Sequence, residues 1–178
     1  MKNQQTNDFL PQGYEQPKGN ANYMKLEKGS NEFRILTKPI IGWLDWKDKK
    51  PLRFRMDNKP SAPVDPTKPI KHFWSFIVWN YTTASIQILE ITQGTIQGAI
   101  NSLVNNPKWG APYNYDISVD RKGDGMDTEY TIMPSPKSPL ANGVADAFGK
   151  KPCNIEMLFD SQDPFNPTGT VTSMEIAL

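Results

Sequence analysis

Between Tyr23 and Met133 hydrophobic and polar positions alternate with a period of two, interrupted once by a period near 3.6. Tyr23-Met-Lys-Leu26 is a short β-prone run, Gly29-Ser-Asn31 a turn, and Glu32-Phe-Arg-Ile-Leu-Thr37 an alternating run, so a hairpin leading into a first long strand is expected. That strand is expected to continue past Pro39 through Ile40, Ile41, Gly42 and Trp43 to Trp46, with Pro39 and Gly42 permitting a bend or bulge. Lys47-Asp-Lys-Lys50 reads as a charged turn and Leu52-Arg-Phe-Arg-Met56 as a second strand. Asp57 to Pro69 holds four prolines and reads as a loop longer than a connection requires. Lys71 to Tyr81, rich in aromatic and β-branched residues, predicts a strand that Tyr81-Thr-Thr-Ala84 turns into a partner, Ser85 to Ile91.

After Thr92, a good N-cap, Ile96, Ala99, Ile100, Leu103 and Val104 recur at spacings of three and four, which predicts one amphipathic helix stopped by Pro107. A last hairpin follows, Tyr115 to Asp120 and Glu129 to Met133, around the glycine-rich tip Arg121-Lys-Gly-Asp-Gly-Met126. Beyond Pro134, Leu140 to Phe148 reads as a short helix and Ile155 to Phe159 as a further strand. The order predicts a mainly β fold: a five-stranded OB-type β-barrel with one helix between its third and fourth strands, plus N- and C-terminal extensions. A non-barrel α+β sheet of the same order is the competitor. Three regions are expected: a flexible N-terminal arm, 1–22; the barrel, 23–139, with its proline-rich loop at 57–69; and a C-terminal extension, 140–178.

With 178 residues the chain suits one domain. The net charge of +1 argues against a polyanionic partner until its distribution is considered: residues 1–71 carry 14 Lys/Arg against 8 Asp/Glu, whereas the remainder is net acidic. One cysteine, Cys153, and one histidine, His72, leave too few ligands for a zinc site, so neither metal nor cofactor is expected. No signal-peptide core or stretch of 18 apolar residues occurs, so no membrane partner is expected.

Enzyme signatures are scarce: Gly-x-Ser-x-Gly, a Walker loop and HExxH are all absent, and His72 in its strand reads as structural. Binding features are better developed. Single strands are held by cationic grooves along the backbone and by aromatic faces on which bases stack. Lys47, Lys49, Lys50, Arg53, Arg55 and Lys71 form the cationic series, and Trp43, Trp46, Trp74, Trp79 and Tyr81 are candidate platforms. Arg121 and Lys122 at the hairpin tip would close one end. Each aromatic is equally compatible with a core role, but period two puts large aromatics on both faces of Lys71 to Tyr81, and only one face points into a barrel. The surplus is covered by the extensions or waits for a ligand. Arg53 and Arg55 share one side of their strand, suited to phosphates or base stacking.

Lys71-His-Phe-Trp-Ser-Phe-Ile-Val-Trp-Asn-Tyr81, Ile86 to Gln93 with the helix after it, Trp109-Gly-Ala-Pro112, Tyr115-Asp-Ile-Ser-Val119 and Lys122-Gly-Asp-Gly-Met-Asp-Thr-Glu-Tyr130 together resemble bacteriophage replication single-stranded DNA-binding proteins, distantly similar to the helix-destabilising protein of the T-even phages. The resemblance implies an OB fold, sequence-independent binding of single-stranded DNA in replication, recombination and repair, and action in the bacterial host cytoplasm. Phage replication or recombination proteins are expected as further partners, and self-association along DNA through the arm 1–22 is an expectation from its composition. One cysteine and one histidine are too few for the zinc subdomain of the T-even protein, and Ser173 to Leu178 is mostly neutral, so neither that subdomain nor partner recruitment through a densely acidic tail is expected. Two rivals stay open: a structural or protein-binding OB module of a phage assembly, and a metal-dependent nuclease using Asp116 and Asp120.

Overall fold

The structure, a computed structural model, describes Phe9, Tyr14 and residues 21–175. The flexible arm expected over 1–22 therefore falls almost wholly outside the described residues. Among those residues the fold is mainly β, with strands β1 (Gly29–Ile35), β2 (Ile40–Lys47), β3 (Lys50–Arg55), β4 (Lys71–Asn80), β5 (Ser85–Ile91), β6 (Ile117–Lys122) and β7 (Glu129–Pro134). Helix α1 (Gly94–Val104) separates β5 from β6, and α2 (Val144–Lys150) follows the last strand. No helix among the described residues is long and apolar enough to cross a membrane.

All pairings between these strands are antiparallel, in the order β3-β2-β4-β1-β6-β7 with β5 on the other edge of β4. The expected closed five-stranded barrel is not formed. Among the described residues no ladder joins β5 to β7. At Ile88 the outer edge of β5 is already taken: its N–H donates to the Asn22 carbonyl at 2.8 Å, and its carbonyl accepts from Met24 N–H at 2.9 Å. Helix α1 packs against β7, so the end that would have closed is covered by a helix.

The expected first long strand is two strands along one edge of β4. Phe33 pairs with Asn80 and Ile40 with Ser75, so seven steps on this side face five on β4 and two residues are extruded between them. Pro39 lacks an N–H, and the Thr37 hydroxyl accepts from Ile77 N–H at 3.0 Å where the ladder is broken. The expected hairpin between Tyr23–Leu26 and Glu32–Thr37 is also absent. Instead the Asn31 side chain folds the chain back on itself, accepting from Glu27 N–H and donating to the Glu27 carbonyl.

Strand β4 divides two cores. Phe76 and Val78 point to one face with Phe33, Ile35, Leu89, Ile91 and Ile117, covered by Ile96 and Ile100 of α1; we term this the helix face. Phe73 and Ile77 point to the other with Leu36, Ile40, Leu44, Ile86 and Ile88, covered by Val144, Cys153, Ile155 and Leu158 of the C-terminal segment; we term this the tail face. The expected strand Ile155 to Phe159 is a 3-10 helix, Ile155–Asp160. Three residues per turn set Ile155 and Leu158 on one side, both buried against the sheet. Helix α1 begins after Gln93 without a side-chain cap, so Thr92 does not serve as its N-cap.

One buried ion pair ties β1 to the chain just before β6. Arg34, 1% exposed, donates from Nε to Asp116 Oδ1 at 2.6 Å and from Nη2 to the Ser138 hydroxyl, while the Tyr81 hydroxyl donates to the same Asp116 oxygen at 2.8 Å.

Two outcomes follow for stability. A Cβ on Gly42 would collide with the Phe54 carbonyl oxygen across the β2–β3 ladder, so Gly42→Ala is expected to lower the unfolding free energy by at least about 1–3 kcal/mol in urea titrations. Burial and the Asp116 carboxylate push the Tyr81 phenol up to about 12 from 10.0, and burial pushes the Cys153 thiol up to about 12 from 9.0. Below those ordinary values both groups are protonated in both states; above them the unfolded chain releases protons that the folded chain retains. Stability is therefore expected to fall as pH rises from 9 toward 12. Denaturation curves across that range should show a shallower fall in Tyr81→Phe.

Candidate nucleic-acid interface

Ladder pairing assigns each candidate to a face, because directly paired residues project to the same side. Trp43 pairs with Phe54 on β3 and with His72 on β4, and Ile41 pairs with Trp74. These residues lie on the helix face. They extend it past the clustered core toward the β2–β3 hairpin, where Trp43, Phe54, His72 and Trp74 are half-buried and Ile41 is 38% exposed. Met56, 49% exposed, ends the strip as β3 passes into a single turn of 3-10 helix.

The rings in this strip are oriented by hydrogen bonds. Trp43 Nε1 donates to the Met56 carbonyl at 3.2 Å, and its ring lies 5.2 Å from that of His72, tilted by 55°. His72 Nδ1 is 3.0 Å from the Gly42 carbonyl, and its Nε2 accepts from Trp74 Nε1 at 3.2 Å. Those two contacts require the hydrogen on Nδ1. His72 thus anchors to the backbone of β2 and orients both tryptophans. Lys59, from the proline-rich loop, holds its ammonium 4.1 Å from the Trp43 ring centroid. The strip is an aromatic surface with a cation on it, attached to a rigid sheet.

The loop owes its position to Asp45. This buried carboxylate accepts from its neighbour Trp46 N–H at 2.8 Å and from Val64 N–H at 3.0 Å, pinning the middle of the 57–69 segment to β2. The hairpin tip is a two-residue turn with both central residues left-handed, Asp48 at φ 51° and Lys49 at φ 63°. Lys47, Lys49 and Lys50 are exposed there, with no ion pair among the described residues.

The remaining candidates lie elsewhere. Trp46 and Trp79 belong to the tail face, half-buried against its core, and Lys71 projects to the same side. A spacing of three separates Trp46 from Trp43, and a spacing of five separates Trp79 from Trp74, so neither pair shares a face. Arg53 and Arg55 do form a row, but on the tail face and already engaged. Arg53 Nε donates to Glu90 at 2.7 Å, Arg55 Nη1 to Glu156 at 2.8 Å, and the Arg55 guanidinium lies 4.3 Å from the Phe159 ring centroid. Tyr81 is held by Asp116. Arg121 donates to the Leu26 carbonyl at the far end of the sheet, and Lys122 is 3.8 Å from Asp120. Of the thirteen candidates named from sequence, only Trp43 and Trp74 lie in the strip, with Lys47, Lys49 and Lys50 at its tip. Lys59, Phe54, Ile41 and Met56 were missed. The alternation of Phe54 and Met56 against Arg53 and Arg55 was the available signal, and Lys59 had none.

A curated relative described as a probable ssDNA-binding protein, from Escherichia phage T5, is 31% identical in an alignment of length 140 that covers 62% of this chain and 54% of the relative. The chain spans about half the length of that curated relative. No protein-family model and no solved structure matches.

Proposed function

We propose that this chain binds single-stranded DNA without sequence preference, with bases stacking along the strip formed by Ile41, Trp43, Phe54, Met56 and Trp74. The observation that carries the proposal is the oriented Trp43 ring. It is half-buried on the sheet, covered by Lys59, and placed beside a hairpin tip whose three lysines have no ion pair among the described residues. Every base has a π-face, so such a surface discriminates little among sequences, while the lysines follow the backbone phosphates. The curated relative's description as a probable ssDNA-binding protein supports the same ligand.

On this reading no bond is made or broken, and the protein shields single strands during phage replication, recombination and repair in the host cytoplasm. The nuclease rival is less favoured because Asp116 already accepts from Arg34 and Tyr81. The protein-binding rival has no observation of its own here, whereas the description of the curated relative points to single-stranded DNA.

Fluorescence titration with oligothymidine tests the proposal. Trp43→Ala is expected to weaken binding by about 1–3 kcal/mol, roughly 5- to 150-fold. Trp79→Ala, on the tail face, is expected to leave affinity unchanged wherever the variant is folded. Affinity that is insensitive to Trp43 and falls with Trp79 would overturn the choice of face. A wild-type protein that binds no oligothymidine at low salt would overturn the function.

A further inference from the structure

The proline-rich loop serves both faces of β2. It starts on the helix face, where Lys59 covers Trp43, is pinned at Val64 by Asp45, and ends on the tail face, where Lys68 and Pro69 meet Trp46. There Trp46, Lys49, Thr67, Lys68, Pro69 and Lys71 line an open cleft of about 380 Å³. Lys49 comes from the hairpin tip, Lys68 from the loop and Lys71 from the first position of β4, so three separate elements line one cleft with Trp46. The acidic group beside them is Asp65, 4.0 Å from Lys68 and otherwise occupied in accepting from Thr67 N–H and its hydroxyl. Lys49 and Lys71 have no ion pair among the described residues.

Lys49 adopts φ 63°, where a side chain with a β-carbon is disfavoured and glycine is not.

We propose that this cleft is a second nucleotide subsite, with a base against Trp46 and backbone phosphate among Lys49, Lys68 and Lys71. A bound single strand then turns around the β2–β3 hairpin tip, from the Trp43 strip on the helix face to the Trp46 cleft on the tail face, with Lys47 and Lys50 on its path. This rests on the reading of the protein as a single-strand binder and adds the course of the strand. The C-terminal segment leaves this corner of the tail face open, since the cleft is lined only by β2, the tip, the loop and β4.

The test is the salt dependence of oligothymidine binding in wild type, Lys68→Ala/Lys71→Ala and a charge-matched control, Lys108→Ala/Lys137→Ala, with a short oligomer that fills only the Trp43 strip and with a longer one. Each phosphate neutralised on a single strand contributes about 0.7 to the slope of log affinity against log salt. The expected result is a slope shallower by about 1.4 in Lys68→Ala/Lys71→Ala with the long oligomer only, and no change in the control. Lys49→Gly, which removes the left-handed strain, is expected to raise the melting temperature while lowering the long-oligomer slope. That combination excludes unfolding as the cause. A long-oligomer slope equal to wild type in Lys68→Ala/Lys71→Ala would overturn the subsite while leaving the Trp43 strip intact. Absence of wild-type binding to either oligomer would overturn the functional reading itself, and the subsite with it.

Discussion

Strand β4 is apolar on both faces, and the rest of the molecule is arranged around that constraint. A strand with Phe76 and Val78 on one side and Phe73 and Ile77 on the other cannot leave either side in water. Helix α1 covers one face, and the C-terminal segment, which runs through α2 and the following 3-10 helix, covers the other. Both covers touch the start of β4, α1 through the Gln97 amide on the His72 carbonyl and the C-terminal segment through Phe159 on Phe73, but the tip of the β2–β3 hairpin, with Lys47, Lys49 and Lys50, stays exposed. What stays accessible there is a sheet end with half-exposed rings on the helix face and a lysine-lined cleft on the tail face. The candidate interface is thus the remainder left by the two cores.

The same constraint explains why the sheet does not close. The edge of β5 that would have met β7 is occupied at Ile88 by Asn22 to Met24. Closure is replaced by helix α1 against β7 on one side and by the Arg34–Asp116–Tyr81 cluster, which ties β1, the turn after β4 and the entry to β6 together. A binding surface at the opposite end of the sheet can then tolerate local strain, such as the left-handed Lys49, without threatening the whole.

Much of this was legible in the sequence, and what was not has a common cause. Period-two runs located β3 to β7 and the 3.6-period run located α1, because those patterns arise within single elements, whereas β1 and β2 read as one strand and Ile155 to Phe159 read as a strand where the fold has a 3-10 helix. The same alternation also separates Trp43 from Trp46 and places Phe54 opposite Arg53 and Arg55, although grouping residues by proximity in sequence obscured it. The faces themselves were illegible: with both sides of β4 apolar, composition alone does not say which cover lies where. Contacts between distant segments were equally hidden. Arg53 meets Glu90, 37 residues away, and Arg55 meets Glu156, 101 residues away, so two guanidinium groups that look available in sequence are ion-paired in the fold. Lys59 sits in a loop without periodicity, and the Asp45 pin on Val64, 19 residues away, helps bring that loop to the sheet.

The central claim is that the ligand occupies the hairpin end of the sheet and leaves the covered faces alone. Residue-resolved NMR chemical-shift mapping during an oligothymidine titration measures this most directly. Perturbations are expected to concentrate at Ile41, Trp43, Phe54, Lys59, His72 and Trp74, with the indole N–H of Trp43 among the largest, and to leave Arg34, Tyr81, Arg55 and the 155–160 segment unaffected. Perturbations centred on Trp79, Arg55 and the C-terminal segment, with Trp43 unmoved, would contradict it.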